Sequence, residues 1–293
     1  MWKKIILATV LLVTGALALN IGYYFFFPDV AALAKANPKK TAFMEYREKE
    51  WQREGKKKKI LQRWVPLSQI SPYIVNAVII AEDDKFWRHE GFDFEAMQKA
   101  LEKDIQKGKF KVGGSTISQQ LAKNLYLSPS KNPIRKLKEA ILTWRIESRL
   151  SKKRIIEIYL NVAEWGDGIF GIEMAARSHF GKSAAGLSAQ EASRLAAVLP
   201  NPRKYSPTGT SRYVVSRSER IYQIMVRRGI VIPEYEDVMK DQSDLGVLLE
   251  QQDPEAMKKL EQQVEVWKKE QETASRNTEP PPPGGVQEKS DRD

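Results

Sequence analysis

One glycine-led segment of the chain reads Gly113-Gly114-Ser115-Thr116-Ile117-Ser118-Gln119-Gln120-Leu121-Ala122-Lys123-Asn124. The paired glycines permit unusual backbone dihedrals, and Thr116 with Gln119 has the spacing of a capping box that begins a helix. Apolar residues then recur at every fourth position, which predicts a helix with one buried face. A glycine turn, a helix N-terminus and Lys123 together suit an anion such as a phosphate. An ordinary capped surface helix has the same features, so other parts of the chain must decide between the two.

The composition excludes several kinds of site. A chain of 293 residues has room for one large or two modest domains. It contains no cysteine, which excludes thiol nucleophiles, thiolate metal sites and disulfides. Its two histidines, His89 and His179, are too few for a histidine-rich metal site.

The formal charge of +11 is unevenly distributed. Residues 230–293 hold 16 acidic and 8 basic residues, a net charge of −8, so the remainder carries +19. A basic body of this kind fits nucleic acid, anionic lipid or a phosphorylated substrate. The acidic end, with its run of prolines from Pro280 to Pro283, is predicted to be a largely disordered tail.

Residues 5–27 carry no charge and predict a transmembrane helix. At about 1.5 Å per residue, they can span a hydrocarbon core about 30 Å thick. Lys3 and Lys4 precede this run and place residues 1–4 in the cytoplasm. A cleaved signal peptide is the alternative, but the apolar run continues through Phe27, longer than a normal signal core. The rest of the chain then lies outside the cytoplasm, which argues against a nucleic-acid partner.

Residues 28–63 are polar and predict a juxtamembrane linker. The densest charge is the run from Lys56 to Lys59. This segment fits a solvated linker and a segment attracted to anionic head groups equally well.

The stretch from Ile74 to Phe86 predicts a helix whose apolar face includes Glu82. A carboxylate on an apolar face has a raised pKa when it is buried. A general acid or base that works at neutral pH requires such a pKa. A salt-bridged helix end is the alternative interpretation.

The stretch from Arg135 to Leu150 predicts a second helix with apolar residues on two faces. Leu137, Ile141 and Trp144 lie on one face, and Glu139 lies among apolar residues of the other, so the helix is predicted to be largely buried. Two carboxylates in apolar settings, with basic residues between them in the sequence, indicate sugar chemistry.

Shorter helices are predicted over residues 152–161, 172–180, 189–199 and 213–228, with a glycine turn around residues 166–171. No stretch alternates well enough to predict a long strand. The fold class is therefore mostly α.

Four motifs, taken in order, carry a family resemblance. They run from Glu82 to Gly91, from Gly113 to Asn124, from Arg135 to Glu139, and from Lys153 to Asn161 with a continuation to Lys182. This ordered set resembles the peptidoglycan glycosyltransferases, a lysozyme-like family that polymerises lipid II. The resemblance runs from about Trp64 to Pro207 and predicts a lysozyme-like glycosyltransferase domain over residues 64–229, followed by the acidic tail at 230–293. Because no penicillin-binding domain follows, it indicates the monofunctional form, which is usual in Gram-negative inner membranes.

The resemblance implies a reaction and its partners. The donor is the growing glycan chain on undecaprenyl pyrophosphate, the acceptor is lipid II, and an inverting transfer forms β-1,4 links. The bilayer and cell-division or wall-synthesis proteins are the other implied partners. No cofactor is required, although a divalent cation near Asp83 or Asp84 is an open possibility.

The resemblance also implies roles for individual residues. Glu82 is the general base, and Glu139 assists at the donor side. The residues expected to contact sugar or pyrophosphate are Ser115, Gln119, Gln120, Lys123, Lys131, Arg135, Lys136 and Asn161. No metal ligands are assigned.

Two other functions stay open on the residues alone. A lysozyme-like hydrolase also uses two carboxylates, but it has no need of cations directed at a pyrophosphate. A membrane-tethered scaffold that binds anionic polymer needs neither carboxylate.

Overall fold

The computed structural model describes residues 1–107, 114–129 and 132–232. The helices of this part are α1 (Trp2–Phe26), α2 (Ala42–Arg53), α3 (Pro72–Glu82), α4 (Phe94–Lys107), α5 (Ile117–Tyr126), α6 (Pro133–Arg149), α7 (Lys152–Val162), α8 (Ile172–Phe180), α9 (Ala189–Val198) and α10 (Arg212–Arg227). The strands are β1 (Leu61–Gln62), β2 (Glu164–Gly166) and β3 (Ile169–Phe170). The predicted mostly α architecture is confirmed.

Most helices begin at a side chain that accepts a hydrogen bond from the first turn. Such caps satisfy amides that have no partner within the helix. The capping residues are Thr41, Ser71, Thr116, Asn132, Ser151 and Ser188. The predicted capping box of Thr116 and Gln119 is present in full. The helices predicted from periodicity are confirmed to within a few residues, whereas α2 and α4 were not predicted.

One apolar cluster joins the helices of the domain. α9 packs against both α3 and α10, and α5 packs against α6 and α7. The predicted apolar residues of α5, among them Ile117 and Leu121, are fully buried in this cluster. The packing fixes the end of α3 beside the start of α5, which is where the candidate catalytic residues lie.

The segment predicted to be a linker, residues 28–63, contributes to the folded domain. Trp51 on α2 is buried, and its indole nitrogen donates to Asp167 Oδ1 at 3.3 Å. Arg47 donates to both carboxylate oxygens of Glu164, at 2.7–3.1 Å. β1 also pairs with β3 in parallel. These contacts show that the segment is not simply a solvated linker. Its polar composition gives no sign, in the sequence, of the few residues that anchor it to the domain.

The three short strands form a small sheet in the order β1-β3-β2, with β2 antiparallel to β3. Gly171 follows β3 with φ +80°, and a Cβ there would lie 2.8 Å from the Asn161 carbonyl oxygen. Glycine is therefore required at this point of the predicted glycine turn.

Helix α1 has no buried residue. Within the described residues it is the one helix whose length and composition suit a membrane span. Its last turn rests on α6, where Arg145 donates to the carbonyl oxygens of Tyr24 and Phe26, both at 3.0 Å. A cation at a helix C-terminus satisfies carbonyls that have no partner within the helix.

The prediction that both apolar faces of α6 are buried is wrong for one face. Leu137 is 49% exposed and Trp144 is 57% exposed, whereas Ile141 between them is buried. The exposed pair lies on the helix that also holds the end of α1.

The boundaries assigned at the C-terminal side stay predictions. Apart from its first three residues, the acidic tail over residues 230–293 lies outside the described part of the chain.

Asn161→Ala is expected to destabilise the domain. The Asn161 side chain is fully buried, accepts from the Val65 amide and donates to the Val65 carbonyl, both at 2.9 Å. Since alanine leaves both Val65 groups buried without a partner, the free energy of unfolding should fall by about 2–4 kcal/mol. Thermal melting measures the loss. Asn201→Ala, at an exposed position, is the matched control, and an equal melting temperature for both variants would contradict the assignment.

Candidate active site

Glu82 is the last residue of α3 and lies at the edge of a cavity. The preceding turn of α3 is buried in the core through Val78 and Ile79, and Glu82 lies at the end of the helix, next to the cavity. The cavity measures about 280 Å³ and is lined by Glu82, Asp83, Asp84, Lys85, Asp93, Lys99, Ser115 and their neighbours. The Glu82 side chain itself is only 13% exposed.

Two neighbours hold the Glu82 carboxylate, one on each oxygen. Arg217 Nη2 on α10 donates to Oε1 at 3.2 Å, and Gln120 Nε2 on α5 donates to Oε2 at 3.0 Å. Burial raises the pKa of Glu82 above its ordinary value, while the Gln120 bond, Arg217 and Lys123 act in the opposite direction. Burial is the largest of these effects, as the sequence predicted, so the carboxylate can hold a proton more tightly than an exposed one.

Asp83 joins α3 to α5. Its Oδ2 accepts from the Ile117 amide at 2.9 Å, and its Oδ1 lies 2.8 Å from His89 Nε2. The Gly91 amide donates to His89 Nδ1 at 3.0 Å, so Nδ1 is the acceptor and Nε2 carries the hydrogen. Asp83 and His89 therefore form a strut that sets the distance between Glu82 and the start of α5.

Asp83 and Asp84 both have partners within the protein. Both oxygens of Asp83 are engaged, and Arg228 holds Asp84 through two bonds, at 2.6 and 2.9 Å. Within the described residues no group of three carboxylate or histidine side chains could hold a metal ion. A divalent cation near Asp83 or Asp84 stays a prediction.

A cationic cluster lies on the other side of the site. Glu139 on α6 is 3% exposed and pairs with Arg135 and Lys136. The Lys136 ammonium also lies 3.3 Å from Ser115 Oγ. Glu139 thus holds two cations at the start of α6, beside the hydroxyl of Ser115.

Lys123 on α5 connects the two sides. Burial lowers the pKa of its ammonium, whereas the charges of Glu139 and Glu82 raise it. Because it is partly desolvated, this cation interacts more strongly with an incoming anion than an exposed cation does.

The helix N-terminus that the sequence offered as an anion site is already occupied by protein groups. The Ile117 amide donates to Asp83, and the Gln119 amide donates to Thr116 Oγ1. Cationic side chains, rather than these backbone amides, are left to meet an anion here.

The structure brings most of the predicted site residues together. Those that lie around the cavity and the cationic cluster are Glu82, Ser115, Gln120, Lys123, Arg135, Lys136 and Glu139.

Two of the predicted contact residues have their partners within the fold. Gln119 is buried and its Oε1 accepts from the Thr116 amide, so it caps α5. Asn161 is buried and bonded to Val65, so it supports the fold. In both cases the motif contains a structural residue beside functional ones. The remaining prediction, Lys131, lies outside the described residues.

Two residues at the site were not predicted. Arg217 reaches Glu82 from α10, and Tyr159 on α7 donates to Gln120 Oε1 at 2.9 Å. The periodicity of α10 indicated a basic helix but not which arginine faces Glu82. Arg217 also lines a groove of about 590 Å³ with Arg212 and Arg220.

Comparison with known proteins gives a consistent result. The family described as Transglycosylase matches residues 48–226. A biosynthetic peptidoglycan transglycosylase of Nitrosospira multiformis is 46% identical over 207 residues, 71% of this chain and 90% of that protein. The proteins of the same name from Methylobacillus flagellatus and Aromatoleum aromaticum are 44% and 52% identical, over 77% and 65% of this chain and 95% and 82% of theirs.

Glu82→Gln is expected to stabilise the protein at neutral pH. Since the folded-state pKa of Glu82 is raised, its protonation stabilises the fold fully below about 4.5, and this contribution is lost as the pH rises through the folded pKa. Glutamine resembles the protonated form and does not lose it. The melting temperature of the variant should exceed that of the wild type above this window and equal it below, with each kcal/mol corresponding to about 2–4 °C.

Glu219→Gln, at an exposed position of α10, is the control and should show no such pH-dependent difference. A Glu82→Gln variant that melts below the wild type at neutral pH would show that the carboxylate is stabilising when ionised.

Proposed function

The chain belongs to the transglycosylase family of peptidoglycan synthesis, and we propose that it elongates glycan strands from lipid II with Glu82 as the general base. The donor is a glycan chain on undecaprenyl pyrophosphate, and the acceptor is the sugar 4-hydroxyl of lipid II. The observation that supports this proposal is a buried carboxylate, Glu82, together with the cations Arg135 and Lys136 that Glu139 holds. The charges on both sides act on Lys123. This arrangement suits removal of a proton at one side and departure of a pyrophosphate at the other.

Glu82 removes the acceptor proton. In its ionised form each oxygen accepts one bond from the protein, which leaves lone pairs for the acceptor hydroxyl. Burial raises the pKa of Glu82 and so brings its basicity closer to what proton abstraction at neutral pH requires. As the proton moves to Glu82, the acceptor oxygen attacks the anomeric carbon and the bond to pyrophosphate breaks, with inversion.

The leaving pyrophosphate needs charge stabilisation more than a proton. Lys123 and Lys136 supply point charges, and Arg135 supplies a planar donor group. Ser115, which lies beside Lys136, can donate to a phosphate oxygen. Charge-assisted bonds of this kind are about twice as strong as neutral ones. Glu139 acts indirectly, because its contacts are with two of these cations.

The groove lined by Arg212, Arg217 and Arg220 is the proposed binding site for the acceptor, lipid II. It meets the Glu82 cavity along Ile80 and Ala81, which line both. An acceptor whose pyrophosphate lay on these arginines would present its sugar toward Glu82.

The alternative functions are weaker. A hydrolase attacks with water and leaves no role for the cations beside Glu139. A scaffold has no use for a buried carboxylate held by two donors at a cavity edge.

The location follows from α1. We propose a single-pass protein of the bacterial inner membrane, with the N-terminus in the cytoplasm and the catalytic domain in the periplasm. Lys3 and Lys4 support this orientation. Trp144 is exposed and directly precedes Arg145, which holds the end of α1, and such a tryptophan suits a membrane interface. Cell-division or wall-synthesis proteins stay predicted partners.

Purified full-length protein should convert labelled lipid II into glycan polymer, and Glu82→Gln should abolish this. Loss of a general base lowers the rate by about 10²–10⁴-fold. The products are separated by gel electrophoresis and digested with a muramidase to confirm β-1,4 links. Thermal melting shows that the variant is folded.

Each other outcome selects another interpretation. Polymer from both proteins would move the base away from Glu82. Release of soluble fragments from finished cell wall, without polymer, would support the hydrolase. No activity from either protein, in detergent and in liposomes, would support the scaffold.

Lys123→Met and Lys136→Met should each slow polymerisation by about 10²-fold, since each removes a charge that stabilises the leaving pyrophosphate. Lys153→Met, at an exposed position of α7, removes the same charge outside the site and is the matched control. Initial rates with labelled lipid II measure the effect. Equal losses in all three variants would indicate a general effect of net charge instead.

A further inference from the structure

We propose that Tyr159 is a positioning residue for the general base, because it holds the Gln120 amide in place against Glu82. This inference rests on the proposed function, in which Glu82 abstracts the acceptor proton. Tyr159 itself is 2% exposed and lies in the core, so it acts through Gln120 and not on the substrate.

A hydrogen-bonded chain of three side chains supports the proposal. The Tyr159 hydroxyl donates to Gln120 Oε1 at 2.9 Å, and Gln120 Nε2 donates to Glu82 Oε2 at 3.0 Å. The three residues come from α7, α5 and α3, so this series of hydrogen bonds links three helices. The end away from Glu82 is Tyr159, which is buried in the core.

The direction of the amide matters because its two ends differ. One end of a glutamine amide accepts and the other donates. If the amide turned over, its oxygen would face the Glu82 carboxylate, and two acceptors would meet without a hydrogen. The Glu82 carboxylate, which only accepts, therefore sets which end of the amide faces it. The amide oxygen at the other end then needs a donor, and the Tyr159 hydroxyl supplies it.

Tyr159 remains a donor throughout the working pH range. Burial raises the pKa of its hydroxyl well above the ordinary value, and the charges of Glu82 and Asp83 act in the same direction. The hydroxyl therefore keeps its hydrogen whenever Glu82 is ionised. A neutral buried donor can orient the amide without adding a charge that competes with Arg217.

The charged groups around Glu82 define what Tyr159 can change. Arg217 faces it from α10 and Lys123 faces it from α5, while Asp83 follows it in the chain. Arg217 holds only Oε1. Without Tyr159, Oε2 loses the fixed donor that favours its ionised form, so the pKa of Glu82 rises further.

The test is Tyr159→Phe in the full chain, assayed for lipid II polymerisation across pH. Phenylalanine keeps the ring that packs in the core and removes only the hydroxyl. The acid limb of the rate profile should move to higher pH, and kcat at neutral pH should fall about tenfold, the effect of about 1.4 kcal/mol. The KM for lipid II should change less than about twofold, since uniform binding is untouched.

Three companion variants make the result specific. Tyr126→Phe removes a hydroxyl from a partly buried tyrosine at the opposite end of α5 and should keep the wild-type profile. In a Gln120→Ala background, Tyr159→Phe should cause no further loss, since it acts through Gln120. Replacement of Tyr159 by 3-fluorotyrosine, which keeps a donor hydroxyl, should restore the acid limb.

A wild-type limb and kcat in Tyr159→Phe would overturn the proposal, as would a loss fully additive with Gln120→Ala. If Tyr159→Phe melts well below the wild type and 3-fluorotyrosine fails to restore the limb, Tyr159 is a core residue only. Failure of the proposed function is distinct, because the wild type itself would then form no polymer.

Discussion

The active site depends on the bonds made by one buried carboxylate, Asp83. Its Oδ2 accepts from the first amide of α5 and its Oδ1 accepts from the His89 ring, which ties the end of α3 to the start of α5. Glu82 is the residue before it, and Gln120 and Lys123 lie on the first turns of α5. Because both oxygens of Asp83 have protein partners, Asp83 has a structural role. The neighbouring Glu82 is the carboxylate available for catalysis. Two adjacent carboxylates therefore have different roles, and their contacts alone separate them.

Burial determines how the charges around this strut behave. Glu82 and Lys123 have pKa shifts toward their neutral forms, and burial is the largest cause for both. Each group also faces opposite charge, which shifts its pKa back toward the charged form. The proposed reaction couples proton abstraction to the departure of a pyrophosphate. It requires a base of raised pKa and a partly buried cation that attracts the pyrophosphate strongly. The same burial makes the orientation of each donor matter, which is why a neutral amide and a neutral hydroxyl support Glu82.

The sequence predicted what depends on local periodicity and missed what depends on distant contacts. Helical stripes, the capping box at Thr116 and the apolar setting of Glu82 are local patterns, and all are present. The polar composition of residues 28–63 predicts a linker, whereas the partners of Arg47 and Trp51 lie more than a hundred residues further on. Asn161 and Gln119 belong to motifs that mix functional with structural residues, and only burial separates the two. Arg217 could not be chosen among the arginines of α10 without knowing where Glu82 lies.

Helix α6 links the membrane anchor to the chemistry. Its start carries Arg135 and Lys136, its next turn carries Glu139, and Arg145 near its other end holds the last carbonyls of α1. A helix is stiff over this length, so the position of the anchor and the position of the cations are not independent. Both substrates of the proposed reaction carry a lipid tail, and their pyrophosphates lie at the membrane surface. In the proposed reaction, a cationic cluster that shares a rigid element with the anchor is therefore held where those pyrophosphates arrive.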